Sequence, residues 1–180
     1  LFDGSGQTAW ATDTATVTVE DDVSVVEVCS APGVAIPDNN TTGVTDSIVL
    51  PGSGTVLDVD VFINAPHTWV GDLQFVLTHA ASATSAMIID RPGRPPGPPG
   101  SPFGCSGDNY FVTVNDTGSD TPIENQCGNL PAISGNAIGG DPVGPVLAPF
   151  NGLDYNGTWS LTAVDNGGGD FGTLAEWCVI

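Results

Sequence analysis

The stretch GTWSLTAVDNGGGDFGTLAEWCVI, residues 157–180, decides the fold of this chain. Its first ten residues and its last eight, TLAEWCVI, have the short, β-branched and aromatic-rich composition of strands. The glycine-rich DNGGGDFG, residues 165–172, overlaps the first segment by two residues and is typical of a turn. The stretch therefore predicts two strands joined by an acidic turn, with no helix at this end of the chain.

Short strands separated by turn residues continue back along most of the chain. In residues 55–66, the apolar positions 59, 61 and 63 alternate with Asp58, Asp60 and Phe62, a period of two. Further strand-like segments are residues 46–50, 72–80, 85–90 and 110–116. No ten-residue segment shows the 3.6-residue apolar period of a helix. The pattern predicts an all-β fold, a jelly-roll-like two-sheet β-sandwich, with residues 91–109 and 117–149 as long loops.

The composition is acidic and contains enough apolar residues for a folded core. Among 180 residues, 21 are acidic and two are basic, which gives a formal charge of −19, while 40% are apolar. Nucleic acids and anionic membranes would repel such a chain, so neither is expected as a partner. We expect a monomer that stays soluble in salt.

The four cysteines predict two disulfides in an oxidising compartment. None forms a CxxC pair and both histidines lie far from them in sequence, which argues against zinc. We expect Cys29–Cys178, because a sandwich brings its first and last strands side by side, and Cys105–Cys127, which closes a loop. The abrupt start at LFDGSGQTAWATD suggests a piece of a larger protein, secreted or on the surface of a bacterium.

Residues 1–28 are predicted to be a flank and residues 29–180 the sandwich domain. In the flank, Thr14, Thr16 and Thr18 alternate with small apolar residues, which is typical of a strand. We interpret it as the last strand of a preceding immunoglobulin-like module, followed by a linker. Alternatively, this strand adds to the edge of the next sheet.

The segment RPGRPPGPPGSPFG, residues 91–104, holds the only cationic side chains, Arg91 and Arg94. Its glycines are spaced by four, three and four residues, whereas a collagen helix needs glycine at every third position. We therefore predict a rigid loop whose arginines pair with nearby carboxylates.

The residue patterns do not support catalysis. No GxSxG motif joins a strand to a helix, and no helix is predicted to carry a nucleophile. A glycosidase would need a carboxylate pair, yet there are only four glutamates. We predict that the chain is not an enzyme, and that His67 and Asp72 form a buried network that locks the turn between their strands.

Aspartates in glycine-rich loops are candidate calcium ligands, since calcium takes six to eight oxygens. One group lies in residues 165–172 and another in residues 106–127. The candidate ligands are Asp72, Asp108, Asp116, Glu124, Asp165 and Asp170. The alternative is that these residues form ordinary Asx turns on a solvated acidic surface.

HTWVGDL, residues 67–73, together with residues 157–180, resembles the proprotein convertase P domain (Homo B domain), which follows the catalytic domain in kexin- and furin-type proteases. The resemblance covers residues 34–180. Convertases usually continue with SPxGT, where this chain has THAASATSAM and a cysteine-bracketed insert, as in a bacterial secreted variant. The matching positions are His67, Thr68, Gly71, Asp72, Leu73, Phe150, Gly152, Gly157, Trp159, Leu161, Asp165, Gly172, Leu174 and Trp177.

The resemblance implies a non-catalytic accessory domain that stabilises an adjacent domain, most plausibly a subtilisin-type serine protease. The competing hypothesis is a module that binds a polymer, either carbohydrate or insoluble protein, through exposed aromatic residues. An exposed row of Trp69 with Tyr110 or Tyr155 would favour the polymer, and a buried Trp69 would favour the accessory role.

Overall fold

The computed structural model describes residues 24–95, 100–116, 121–127, 133–139 and 144–180. These ranges contain β-strands and three short 3-10 turns, and no α-helix. The strands are β1 (Val28–Ser30), β2 (Val34–Ile36), β3 (Asn40–Leu50), β4 (Val61–Ala65), β5 (Leu73–His79), β6 (Thr84–Asp90), β7 (Tyr110–Asn115), β8 (Thr121–Pro122), β9 (Ile133–Ile138), β10 (Gly157–Asp165), β11 (Gly172–Leu174) and β12 (Glu176–Val179).

Two sheets pack face to face. One has the strand order β1-β12-β4-β7-β9-β8 and the other β3-β10-β5-β6, while β11 and β2 form a short ribbon. Apolar side chains of both sheets make one core. Across it, Phe75 of β5 meets Tyr110 of β7 edge to face, with ring centroids 5.6 Å apart. The predicted all-β sandwich is confirmed.

The two motif tryptophans are fully buried core residues. Trp159, on the central strand β10, packs between His79 and Phe150. Its indole Nε1 donates to the Tyr155 carbonyl at 2.9 Å, and Nε1 of Trp177 donates to Asp46 Oδ2 at 2.7 Å. Because each buried indole N–H has an acceptor, these large rings fill the core without a desolvation penalty.

The last stretch of sequence differs from the prediction, because TLAEWCVI is divided between two sheets. β11 pairs with β2, and β12 then pairs with both β1 and β4. Between them, the Ala175 amide donates to the Asn64 carbonyl at 3.0 Å. A continuous apolar pattern does not show such a change of partner.

The prediction that residues 117–149 form a loop is wrong in part, since β8 and β9 lie there. β9 runs parallel to β7, and β8 runs parallel to β9. The ISGNAI sequence of β9 contains glycine and asparagine, which are depleted in strands. Its strand conformation comes from pairing with the buried β7, a tertiary effect that no local pattern reports.

Both predicted disulfides are present. Cys29 of β1 lies directly opposite Cys178 of β12, with Cα atoms 4.0 Å apart. Cys105 is bonded to Cys127 across 4.9 Å between Cα atoms, joining the proline-rich loop to the segment after β8. The predicted immunoglobulin-like strand lies in residues 1–23, outside the described residues.

Candidate functional site

HTWVGDL crosses one end of the sandwich between β4 and β5 and lies against the acidic turn that follows β10. His67 pairs with Gly172 in an isolated bridge. The Thr68 amide donates to the Phe171 carbonyl at 3.2 Å. A side chain at Gly172 would overlap the His67 ring and the Pro66 carbonyl, so only glycine fits there. The two motifs that carry the resemblance are therefore one structural unit.

At the centre of this unit His67 is buried and both of its ring nitrogens are hydrogen-bonded. The Trp69 amide lies 3.1 Å from Nδ1, and Nε2 lies 3.2 Å from Asp165 Oδ2. Nδ1 also lies 3.0 Å from the Trp69 carbonyl oxygen, so both ring nitrogens are surrounded by hydrogen-bonding groups of the chain. His67 thus has no free nitrogen with which to activate a serine.

Asp165 is fully buried at the end of β10. Its Oδ1 accepts from the Gly167 amide at 2.9 Å, an Asx turn. The register with β3 shifts between Ala163 and Asp165, a β-bulge. Asp165 continues the buried alternation of Trp159, Leu161 and Ala163, and its register with β5 is unbroken, so the strand itself directs the carboxylate inward to His67.

Asp72 is the second buried carboxylate of the site, and its partner is Arg91. Oδ1 lies 3.5 Å from Arg91 Nη2. The predicted His67–Asp72 network is therefore wrong in its pairing, because the proline-rich loop brings Arg91 to Asp72, while the pairing of β10 with β5 brings Asp165 to His67. The prediction that the arginines pair with carboxylates is confirmed for Arg91. Burial, reinforced by the charges of Asp165 and Asp170, raises the pKa of Asp72, and Arg91 opposes that increase.

Asp170 and Asp38 hold the outer part of the turn. Thr68 Oγ1 donates to Asp170 Oδ1 at 2.8 Å and accepts from the Phe171 amide at 3.0 Å. The Gly169 amide donates to Asp38 Oδ1 at 3.0 Å. Asp38 lies in the turn between β2 and β3, and no local sequence pattern links it to Gly169, 131 residues later. We call Asp38, Asp72, Asp165 and Asp170 the acidic end cluster.

The donor chemistry of this cluster suits calcium, but its oxygens are not closed around one point. Among the described residues, one set of three His, Cys, Asp or Glu side chains has its ligand atoms within 4.8 Å of one another: Glu27, Cys29 and Cys178. Both of these cysteines are in a disulfide. Asp165 already accepts from His67 and Gly167. For three carboxylates of this cluster to bind one calcium ion, they would therefore have to move closer together.

Of the second predicted group of ligands, Asp108 and Asp116 do not lie together. Asp108 precedes β7 and Asp116 follows it, so about eight residues of extended chain, roughly 26 Å, separate them. Asp116 instead accepts from the Leu147 amide at 3.1 Å, and burial raises its pKa. Glu124 lies in the 3-10 turn Ile123–Gln126, but its side chain is outside the described residues.

Gly71 is required by close packing. The Gly71 amide donates to the Cys105 carbonyl at 2.9 Å, and a Cβ here would overlap Gly104 and Cys105. The Cys105 amide in turn donates to the Pro92 carbonyl at 2.7 Å. The proline-rich loop is thus closed on itself at its base and packed against HTWVGDL, which explains how Arg91 reaches Asp72.

An aromatic surface lies beside the acidic end cluster. Trp69 is partly exposed and donates through Nε1 to the Phe103 carbonyl at 2.7 Å. Phe103 and Phe171 are 69% and 65% exposed. Tyr110 is buried, and Tyr155 precedes the opposite end of β10, so neither extends Trp69 into the row that a polymer site would need. We call Trp69, Phe103 and Phe171 the aromatic surface.

One serine–histidine contact lies elsewhere, in the turn between β5 and β6. Ser82 Oγ lies 2.9 Å from His79 Nδ1, and His79 Nε2 lies 3.0 Å from the Asn156 carbonyl. Ser82 Oγ also contacts Thr84 Oγ1 at 2.9 Å, and the Thr84 amide donates to it at 3.3 Å. These bonds close the four-residue turn between β5 and β6 on a buried ring, which is a structural role.

Comparisons with known proteins support the fold. The chain matches no protein-family model and no curated protein sequence. Solved structures with a similar fold include the serine protease of Aeromonas sobria, alone and in complex with its chaperone. In both, the TM-score is 0.52 at 14% identity, over 86% of this chain and 26% of the protease chain. Almost the whole of this chain thus resembles about a quarter of that protease in fold.

No helix among the described residues is long and apolar enough to cross a membrane.

Proposed function

We propose that this chain is a non-catalytic, P-domain-like accessory domain of a secreted bacterial protein, which stabilises an adjacent domain, a subtilisin-type serine protease. The observation that carries the proposal is the fold match, which covers 86% of this chain but only 26% of the Aeromonas protease. Because a similar fold forms only part of a protease chain, we assign this chain the role of a supporting module. The fully bonded His67 and the two disulfides of a secreted protein agree with it.

The aromatic surface is the contact that we propose for the adjacent domain. Large apolar side chains that remain exposed beside polar residues mark interaction sites more often than solvated surface. Phe103 and Phe171 are about two-thirds exposed; Phe171 is hydrogen-bonded to Thr68, and the Phe103 carbonyl accepts from the Trp69 indole. Burying the two rings against a neighbouring domain would couple the unfolding of both domains.

Calcium binding is a second part of the proposal, with Asp72 and Asp170 as the carboxylates that would hold the ion. Its support is electrostatic. Burial, with the charges of Asp165 and Asp170, raises the pKa of Asp72, and Arg91 opposes that increase. In a protein of net charge −19, a bound cation would relieve this repulsion and tie Thr68 and the acidic turn together.

Calorimetry of the parent protein tests the accessory role. We expect one cooperative transition for the domain and its neighbour, which the Phe103→Ser and Phe171→Ser double variant splits into two. The control is Phe111→Ser, at an exposed phenylalanine on β7, which should leave a single transition. Two independent transitions in the unmodified parent protein would contradict the proposal, as would turnover of a peptide by the isolated chain.

A further inference from the structure

An apolar groove lies at the end of the sandwich opposite the acidic end cluster, where β3 ends and β10 begins. Its volume is about 730 Å³. Val56, Val59 and Trp159 line it and are buried, while Leu57 beside them is 63% exposed. The groove therefore combines an apolar floor with an apolar rim that nothing in the described residues covers.

The described chain begins inside this groove. Ser24, Val25 and Val26 line it, and Val25 is 78% exposed. Twenty-three residues precede Ser24 in the sequence. Five residue steps separate Val19 from Ser24, so the two Cα atoms lie at most about 18 Å apart. The N-terminal segment is thus tethered at the groove, whatever else it contacts.

The sequence of that segment provides a matching apolar row. In residues 14–19, Ala15, Val17 and Val19 alternate with threonines, so in an extended conformation these three side chains share one face. We propose that residues 14–19 dock in the groove, with this row facing Val56, Val59 and the rim. The short tether gives an effective concentration in the millimolar range, so weak apolar contacts are sufficient.

Charge affects this docking in an unusual direction. Asp58 and Asp60 line the groove, and residues 20–22 of the tether are Glu-Asp-Asp. Because both carry negative charge, the contact is apolar in origin and electrostatically opposed. Salt screens this repulsion, so docking should strengthen as the salt concentration rises, whereas docking held by ion pairs would weaken.

Hydrogen exchange of the full chain, read by mass spectrometry, tests the proposal. Residues 14–19 should exchange at least about tenfold more slowly than an unstructured peptide of the same sequence. Leu57→Ser should bring them close to the peptide rate. The matched control is Val49→Ser, at a valine of β3 that is 65% exposed and lies outside the groove, and it should leave the protection unchanged.

The reciprocal variant substitutes a residue of the N-terminal segment and leaves the sequence of residues 24–180 unchanged. Val17→Ser should accelerate exchange in residues 54–60, whereas Thr16→Ser, on the other face of the segment, should not. Unprotected residues 14–19 would overturn the proposal. If residues 14–19 stayed protected in the Leu57→Ser variant, the proposal would also be overturned, because these residues would then belong to a module of their own or pair with a sheet edge. Protection that depends on protein concentration would assign the groove to a second copy and would also overturn it.

Discussion

His67 and Asp165 are 98 residues apart in the sequence, and in the fold the imidazole Nε2 lies 3.2 Å from the buried carboxylate. This contact joins the turn before β5 to the end of β10. Around it lie Asp72, Asp170 and Thr68, which connect the same two segments through side-chain and backbone hydrogen bonds. The motif residues thus hold one end of the sandwich closed.

Breaking this pair should destabilise the whole domain. His67→Ala removes a hydrogen bond to a buried carboxylate, which typically costs about 1.5–3 kcal/mol. Urea unfolding of His67→Ala, Asp165→Ala and the double variant should give a coupling energy of about 1–3 kcal/mol. A cycle of His67→Ala with the remote Asp58→Asn should instead be additive. Additivity of the His67 and Asp165 variants would show that the contact carries no stability.

The pKa of Asp72 predicts a stability that falls as the pH rises. Burial raises the pKa of Asp72 above its ordinary value of 3.8 in the folded state. The folded chain therefore binds more protons than the unfolded chain just above pH 3.8, and stability decreases with pH until the raised pKa is passed. In chelator, the chain should melt at a higher temperature at the acidic end of this window than at pH 7.5.

Two variants separate this effect from the rest of the acidic surface. Asp72→Asn should reduce the pH dependence. Hydrogen bonds from the Asn156 amide, Ser53 and the Gly54 amide lower the pKa of Asp154. The stability that Asp154 contributes is therefore lost only as the pH falls below the ordinary pKa of an aspartate, 3.8. Asp154→Asn should therefore leave the change of stability with pH above pH 3.8 as it is in the unmodified chain. An Asp72→Asn chain with the full slope would contradict this assignment.

Ser82 should be chemically inert although its hydroxyl lies 2.9 Å from His79. The hydroxyl closes a local turn, and the imidazole is buried against Trp159. A fluorophosphonate probe should leave Ser82 unlabelled under conditions in which a serine protease is fully labelled. Ser82→Ala should cost about 1 kcal/mol of stability through the lost turn bonds. Labelling that His79→Gln abolishes would identify a nucleophile.

Calcium should raise the melting temperature if Asp72 and Asp170 hold the ion. A hundredfold excess over the dissociation constant adds about 2.7 kcal/mol, or roughly 5–10 °C for a domain of this size. The Asp72→Asn and Asp170→Asn double variant should lose this response. The control with equal charge, Asp58→Asn with Asp154→Asn at the opposite end, should keep it. Equal melting in chelator and in millimolar calcium would leave Asx turns as the role of these aspartates.

The sequence predicted what local pattern determines. Strands β5, β7 and β10 follow from period-two composition, and the pairing of Cys29 with Cys178 follows from the proximity of first and last strands in a sandwich. β9 escaped prediction because its pairing with β7 outweighs its weak strand propensity. The partner of His67 was assigned wrongly because Asp72 is near in sequence, whereas Asp165 lies 98 residues away and reaches His67 through the pairing of β10 with β5.

The thermal stability of the neighbouring domain tests the accessory role most directly. In the parent protein, the melting temperature of that domain, or its half-life of activity on heating, should be compared with and without residues 24–180. We predict that removal of the domain lowers the melting temperature or shortens the half-life. Restoration by the added isolated domain, but not by its Phe103→Ser and Phe171→Ser variant, would support the surface assigned here. An unchanged melting temperature and half-life after removal would contradict the account.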